Sequence, residues 1–147
     1  EIAESFTFLN DNKTVISKST GNCVAFAKHP LPKKKITTFT VQLGSIAYYV
    51  FIGITPESQL RNRLCFQNPK TISYGREGRV WHYGDCNLPE LKGNDKMTIV
   101  ADLINGNISF LINKRKVYEG KIKDYQNTLY YPYVYMTATE GIEATFV

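Results

Sequence analysis

A histidine and a cysteine four residues apart are the closest approach in the sequence to a nucleophile with its base. His82 and Cys86 flank Gly84-Asp85, which predicts a turn between them, and a thiolate activated by an imidazole is the chemistry that such a pair supplies. The neighbouring residues include no third group to orient the imidazole and no oxyanion loop. We therefore interpret His82 as a loop residue and Cys86 as a buried thiol, and we expect no enzyme.

Metal binding and glycoside hydrolysis require ligands or carboxylates that meet at one site. The sequence contains neither a Cys-x-x-Cys nor a His-x-His pair, so we expect no metal and no other cofactor. A pair of catalytic carboxylates stays open, because acids distant in sequence can meet in three dimensions. The candidates are Glu77, Asp85, Asp95, Asp102 and Glu119. We interpret these acids as solvated charges at turns.

The elements that would position any site are predicted to be strands, because apolar and polar residues alternate with a period of two along almost the whole chain. Short strands separated by turn residues are typical of an all-β fold, an antiparallel β-sandwich. The predicted strands are 5–9, 14–16, 24–26, 38–43, 48–54, 64–66, 71–74, 97–104, 107–112, 117–118, 130–137 and 142–147.

Three local patterns carry more specific predictions. The strand 48–54 is apolar on both faces, so we place it at the centre of a sheet, with Gly53 at a close backbone approach. Thr55-Pro56-Glu57 has the order of a helix start and predicts one or two helical turns through Leu60 to Leu64. Asn105-Gly106 predicts a hairpin with a type I′ turn, and residues 113–116 predict the next turn.

Composition indicates a single folded domain. The 147 residues are 43% hydrophobic and 21% charged, and we expect one domain over 1–147, with a core of 39–147 and N-terminal strands in 1–38. Three cysteines, Cys23, Cys65 and Cys86, suit free thiols in a reducing compartment. The N-terminus shows no signal peptide. We therefore expect an intracellular protein, cytoplasmic or nuclear.

Charge and hydropathy narrow the classes of partner. The longest uncharged stretch, 36–56, contains too many threonines and other polar residues for a membrane helix, so we expect no membrane insertion. The net charge of +5 favours an acidic partner surface. Four tyrosines at 130, 131, 133 and 135 must divide between the two faces of a strand, and Tyr133 or Tyr135 is a candidate for partner contact.

Several stretches resemble the SPRY domain family. Residues 49–54 (Tyr-Val-Phe-Ile-Gly-Ile) are similar to its central strand, and Ser73-Tyr74-Gly75 followed by Trp81-His82-Tyr83-Gly84 is similar to the segment after it. The most specific likeness is the hairpin 95–103 and 105–113, with Asp-Leu, a glycine turn and Ile-Ser-Phe. Two departures fall at turns: Asn94 stands between Gly93 and Asp95, and Lys114 replaces the usual glycine.

The resemblance implies a bent antiparallel β-sandwich of concanavalin-like architecture, whose loops at one end bind a protein or a short peptide, as part of a larger adaptor or scaffold. The isolated domain is then expected to be a monomer. Positions carried over from peptide-binding adaptors of the family are Tyr48, Arg63, Phe66, Thr139, Glu140 and Gly141. We add Arg61, because Arg61 and Arg63, with Lys33–Lys35 on a neighbouring loop, form a candidate basic mouth.

Two other classes of binding module stay open. A carbohydrate-binding lectin would use the same broad architecture and stack sugars on an exposed aromatic ring, although a close set of calcium-binding acids is not apparent. A nucleic-acid binder would use a basic stripe with aromatic residues, for which Lys114-Arg115-Lys116 with Tyr118, Lys121 and Lys123 is a weak version. We rank protein or peptide binding first and nucleic acid last of these three.

Overall fold

The strands of the chain form two antiparallel sheets. A computed structural model describes residues 6–9, 14–17, 21–44, 49–62, 64–80, 87–138 and 143–146. The strands in these ranges are β1 (Phe6–Leu9), β2 (Thr14–Ser17), β3 (Gly21–Phe26), β4 (Ile36–Leu43), β5 (Tyr49–Pro56), β6 (Ile72–Gly75), β7 (Arg79–Val80), β8 (Lys96–Asp102), β9 (Asn107–Ile112), β10 (Arg115–Lys121), β11 (Tyr130–Ala138) and β12 (Glu143–Phe146). One sheet has the order β1-β2-β12-β4-β8-β9-β10 and the other the order β3-β11-β5-β6-β7.

The main core lies between the two sheets. On β8 and β9 the alternate side chains from Met97 to Ala101 and from Ile108 to Phe110 are fully buried, whereas the side chains between them are partly exposed. Residues of β5, β6 and β11 from the other sheet join the same cluster. The period of two therefore predicted the all-β sandwich and the inward face of these strands correctly.

Strand β5 is the middle strand of the five-stranded sheet, paired with β11 on one side and β6 on the other. All its residues from Val50 to Pro56 are buried, which confirms the prediction of a strand covered on both faces. A Cβ at Gly53 would overlap the carbonyl oxygen of Ile72 and lie 2.6 Å from the Cα of Ser73. The expected close approach of backbone at this glycine is therefore confirmed.

The helix predicted after β5 is wrong, and so is the strand predicted at 64–66. Two short 3-10 helices, Glu57–Gln59 and Cys65–Gln67, occupy this segment. Thr55 does not cap a helix, because it is buried in β5 and its hydroxyl bonds to that of Thr71 at 2.7 Å. Without a side-chain cap, only single 3-10 turns form.

The hairpin between β8 and β9 is confirmed, but its turn differs from the prediction. The loop has four residues, 103–106, and only Gly106 among them has a positive φ, of 74°. The carboxylate of Asp102 accepts hydrogen bonds from the backbone N–H groups of Ile104 and Asn105, at 2.9 and 3.0 Å. This side-chain cap favours the longer loop over a two-residue turn.

The two-residue turn with positive φ at both positions lies between β9 and β10. Its residues are Asn113, with φ of 50°, and Lys114, with φ of 72°. Arg115 and Lys116, predicted as part of this turn, belong to β10. Strand β10 forms one edge of the seven-stranded sheet, and a register shift between Lys116 and Tyr118 places a bulge in it.

The strand pairing defines two ends of the five-stranded sheet, which we call the Tyr49 end and the Tyr130 end. Tyr49 pairs with Thr137 at the first, and Pro56 pairs with Tyr130 at the second, about 23 Å away along the strands. Loops 28–35, 103–106 and 122–129 meet at the Tyr130 end. Their connecting backbone bonds run from Leu31 N to Tyr130 O, from Leu103 N to Lys35 O and from Ile122 N to Gly106 O.

No helix among the described residues has the length and apolar character needed to cross a membrane.

Candidate partner-binding site

A second apolar cluster covers the outer face of the five-stranded sheet. Along β5 and β11, alternate residues such as Ile52 and Val134 enter the main core, while Phe51 and Tyr135 point to the opposite face. The outer aromatic cluster consists of Val24, Phe51, Cys65, Phe66, Tyr133 and Tyr135, with Phe26 packed against it. Only one layer of chain separates this cluster from solvent.

That layer is the segment between β5 and β6, which contains the two 3-10 helices. The ring of Phe66 stacks on Phe51 with centroids 4.8 Å apart and planes inclined by 18°, and it lies 4.8 Å from Tyr135. Cys65, next to Phe66, is fully buried. The segment is therefore fixed to the sheet by two consecutive apolar side chains.

The expectation that Tyr133 or Tyr135 contacts a partner is wrong. Tyr133 is fully buried and Tyr135 is 4% exposed, because Cys65 and Phe66 cover the face on which they lie. Tyr130 is buried in the main core on the other face, and Tyr131 is partly exposed. Alternation along the strand separated Tyr130 from the other three correctly, but it did not indicate the covering segment.

Burial keeps the titratable groups under this segment in their neutral forms. Burial raises the pKa of the Cys65 thiol to about 12, against a smaller opposing effect of a hydrogen bond with Thr55. Burial also raises the pKa of Tyr133 well above 10. The Ser73 hydroxyl lies close enough to oppose that rise, but neither hydroxyl has a partner in hydrogen-bonding geometry. A thiol held protonated in this way is a poor nucleophile.

Two of the seven predicted site residues are described by the structure. Phe66 is 9% exposed and anchors the outer aromatic cluster. Arg61 is exposed in the turn between the two 3-10 helices, with a positive φ of 79°. The remaining five lie outside the described residues: Tyr48, Arg63, Thr139, Glu140 and Gly141.

The strands that flank those undescribed positions converge at the Tyr49 end. Tyr49 begins β5 and pairs with Thr137 near the end of β11. In the other sheet, Leu43 at the end of β4 pairs with Ala144 of β12. The described strand ends on either side of segments 45–48 and 139–142 are therefore paired neighbours within each sheet.

Two exposed apolar residues extend the site beyond the predicted set. Tyr49 is 49% exposed and Leu64 is 40% exposed, and each lies two residues from a member of the Phe51–Phe66 stack. We call Tyr49 and Leu64, together with the stack of Phe51 and Phe66, the Tyr49–Leu64 surface. Sequence reasoning selected the adjacent residues Tyr48 and Arg63 instead. The signal for Tyr49 was available, because alternation places it on the same face as Phe51.

Lys33–Lys35, predicted to share a basic mouth with Arg61, lie at the Tyr130 end. The Lys33 Nζ approaches the backbone oxygen of Gln126 at 3.5 Å, and Lys35 O accepts the bond from Leu103 N. The neighbours of this lysine run are therefore loops 103–106 and 122–129.

The carboxylates considered for catalysis take part in local structure. Asp95 accepts hydrogen bonds from Lys92 N and Asn113 Nδ2, and Glu119 lies 2.8 Å from the Lys116 Nζ. Hydrogen bonds from Asn105 and Ile104 lower the pKa of Asp102, and the bond from Lys116 lowers that of Glu119. His82, Asp85 and Cys86 lie outside the described residues. Within the described part of the chain, no cluster of three metal-ligating side chains occurs.

Comparison with solved structures identifies the fold. No protein-family model matches the sequence, and no curated protein matches it either. The SPRY domain of human HERC1 superimposes with a TM-score of 0.76 at 16% identity, over 99% of this chain and 93% of that one. A human SPRY domain gives 0.74 at 16% identity, over 97% and 94%. The PSpry domain of TRIM65 gives 0.73 at 13% identity, over 100% and 88%. With these likenesses along its whole length, the chain has the SPRY-domain fold.

Proposed function

We propose that this chain is a non-catalytic interaction module that binds a protein or peptide partner through the Tyr49–Leu64 surface. The observation that carries the proposal is the pair of exposed apolar side chains, Tyr49 and Leu64, each two residues from one ring of the buried Phe51–Phe66 stack. Water-exposed aromatic and aliphatic side chains on a fixed support are the composition of an interface centre. Association removes their apolar area from water.

The support beneath the surface reduces the ordering cost of binding. Phe66 is held by Phe51 and Tyr135, and the turn that carries Leu64 is closed by backbone bonds from Cys65 N to Asn62 O and from Gln67 N to Leu64 O. A partner therefore meets a largely fixed surface rather than a loop that must first be ordered.

Arg61 on the same segment adds a preference for a partner with an acidic group beside its apolar contact. The remaining positions implied by the resemblance, Tyr48, Arg63, Thr139, Glu140 and Gly141, belong to the site that we propose. In this proposal the domain is part of an intracellular adaptor or scaffold protein, in which it binds the partner.

The nucleic-acid alternative is less well supported. Glu119 forms an ion pair with Lys116 in the middle of the basic stripe. The ring of Tyr118 packs near that of Phe110, with centroids 6.1 Å apart, and beside Gly120. A stacking platform for bases needs an open ring face within continuous positive charge. The carbohydrate alternative has one observation in its favour, the exposed ring of Tyr49.

The test is a quantitative pull-down with three forms of the chain. A Tyr49→Ser/Leu64→Ser variant removes the exposed apolar side chains of the proposed site. An Ile36→Ser/Ile104→Ser variant is the matched control, because Ile36 and Ile104 are similarly exposed, at 56% and 53%, near the Tyr130 end. Bound proteins are identified by mass spectrometry, and the folding of each variant is checked by thermal denaturation.

We expect at least one protein to be retained by the wild type and the control and lost with the site variant. Direct binding of that protein, purified, should weaken by about tenfold or more, since loss of a central contact costs about 2 kcal/mol. Equal capture by all three forms would overturn the proposed site. Capture of glycans on an array by the wild type, abolished by Tyr49→Ser, would instead support the lectin alternative.

A further inference from the structure

The Tyr130 end carries a second pair of exposed apolar residues. Ile36 is 56% exposed and Ile104 is 53% exposed. They lie on adjacent segments, because Ile36 pairs with Asp102 and the neighbouring Leu103 N donates to Lys35 O at 3.0 Å. Each isoleucine is one residue from this hydrogen bond, so both belong to one corner of the molecule, which we call the Ile36–Ile104 corner.

Lysines surround this corner. Segments 28–36, 102–107 and 121–127 together contain six lysines and two acids, Asp102 and Asp124. Asp124 is bound by Lys70 at 3.0 Å and Lys123 Nζ donates to Pro69 O, both on the side of the loop that faces the 57–71 segment. Lys34 and Lys35 are exposed, and within the described residues neither forms an ion pair. The corner therefore combines apolar side chains with a local excess of positive charge.

The backbone holds Ile104 in its exposed position. The Asp102 carboxylate accepts bonds from Ile104 N and Asn105 N, and these bonds lower its pKa. Leu103, before Ile104, is buried, and Gly106, after it, lies against the ring of Tyr125. The side chain of Ile104 is thus presented by a loop that is already ordered, as a docking surface requires.

We propose that the Ile36–Ile104 corner adsorbs on the anionic surface of a lipid bilayer, with its lysines at the headgroups and its isoleucines at the boundary with the acyl chains. Anionic headgroups complement the lysine excess, and each lysine near such a surface strengthens adsorption about fivefold. Apolar side chains within a basic surface are the pattern of peripheral membrane attachment.

The chemistry of the charges favours a lipid surface over a single acidic peptide. Lys34 and Lys35 are point charges on flexible stems, which suit a diffuse anionic surface better than bidentate binding of one carboxylate. Near Ile36, β4 is paired with β8, whereas its described pairing with β12 covers only Val41 to Leu43. The test therefore includes an acidic polypeptide as the alternative ligand.

The experiment measures sedimentation of the chain with vesicles of phosphatidylcholine alone or with 30% phosphatidylserine, each at low and high salt. A Lys33→Gln/Lys34→Gln/Lys35→Gln variant tests the corner. A Lys92→Gln/Lys96→Gln/Lys114→Gln variant is the control, because it makes the same charge change at exposed lysines elsewhere. The Ile36→Ser/Ile104→Ser variant tests the apolar contribution.

We expect salt-sensitive binding to the phosphatidylserine vesicles only. The partition coefficient should fall by roughly a hundredfold in the corner variant, since three lysines are removed, and much less in the control. The isoleucine variant should bind more weakly with an unchanged salt dependence. No binding to anionic vesicles, or equal losses in the two lysine variants, would overturn the proposal.

Polyglutamate, a soluble acidic polypeptide, distinguishes a lipid from a protein as the ligand of the corner. If polyglutamate binds the chain through Lys33–Lys35 while the anionic vesicles do not, the corner recognises an acidic protein and the lipid proposal is wrong. The outcome is independent of the proposed function, because Tyr49→Ser/Leu64→Ser leaves this corner intact and should sediment like the wild type.

Discussion

The main core and the outer aromatic cluster are both closed apolar clusters, but they are closed in different ways. The main core is enclosed by two sheets, each held by strand pairing, and contains fully buried residues such as Phe110 and Ile52. The outer aromatic cluster is enclosed on one side by β5 and β11 and on the other by one segment with two 3-10 turns. The difference separates the part of the molecule that holds the fold from the part that can respond to a partner.

The largest effect is expected in the main core. Phe110→Ala leaves a cavity between the sheets and should lower the free energy of unfolding by about 3–5 kcal/mol, measured by urea denaturation. Leu111→Ala, the next residue on β9, is the control, because its side chain faces outward and is partly exposed. Similar losses in both variants would contradict the assignment of the main core to this face.

Phe66→Ala should cost less, about 3 kcal/mol or below, because the covering segment can settle into the space that the ring leaves. Amide hydrogen exchange should rise in residues 57–71 and stay unchanged in β8 and β9. Binding of the partner found through the Tyr49–Leu64 surface should also weaken, since Leu64 loses its support. Equal acceleration of exchange in β8 and β9 would show that the two clusters open together.

The same substitution at two tyrosines of β11, one in each cluster, compares how a buried hydroxyl contributes to stability in the two clusters. Tyr133→Phe removes a buried hydroxyl without a hydrogen-bond partner and should raise the free energy of unfolding by about 1 kcal/mol or more. Tyr130→Phe is the matched change in the main core, where the hydroxyl donates to Lys123 O, and should lower it by about 1 kcal/mol. A loss of stability in both variants would mean that the Tyr133 hydroxyl is hydrogen-bonded in solution.

The smallest change in stability is expected at a turn that lies away from both clusters. Lys114→Gly relieves the left-handed conformation of a lysine in the turn after β9 and should stabilise the chain by about 1 kcal/mol. Asn113→Gly should change stability less, because asparagine tolerates this conformation. Thermal denaturation measures both. Destabilisation by Lys114→Gly would show that the lysine side chain contributes more than the backbone strain costs.

The sequence was sufficient for features that depend on residues near in sequence. Alternation located most of the strands, although not β7, and it predicted a strand at 64–66 that is absent. The central position of β5, the inward face of β8 and β9 and the close approach at Gly53 were predicted correctly. Asn105-Gly106 was interpreted as a two-residue type I′ turn, but the loop at this position has four residues and is capped by Asp102. A turn was predicted at 113–116, but the positive φ values of Asn113 and Lys114 were not, because a lysine rarely occupies that conformation.

The candidate site was less predictable because it depends on a segment that folds back over a sheet. The rings of Phe66 and Tyr135 meet although 69 positions separate them, and no local pattern indicates that contact. Tyr133 was therefore predicted near the surface and is buried. Phe66 was suggested by resemblance and Arg61 by its charge, and both lie in the covering segment. Alternation indicates the face of β5 on which Tyr49 lies, but the exposure of Leu64 follows only from the packing.

The exposed edge of strand β10 bears on whether the protein aggregates at high concentration. As the last strand of its sheet it leaves one row of backbone groups open to pairing with another molecule, the usual starting point of β-aggregation. Exposed charges on Arg115, Lys116 and Lys121 repel a second copy of the strand, and the bulge before Tyr118 spoils the flat register that stacking needs. Crowded or tandem copies of this domain should therefore not join through the β10 edge into fibrils.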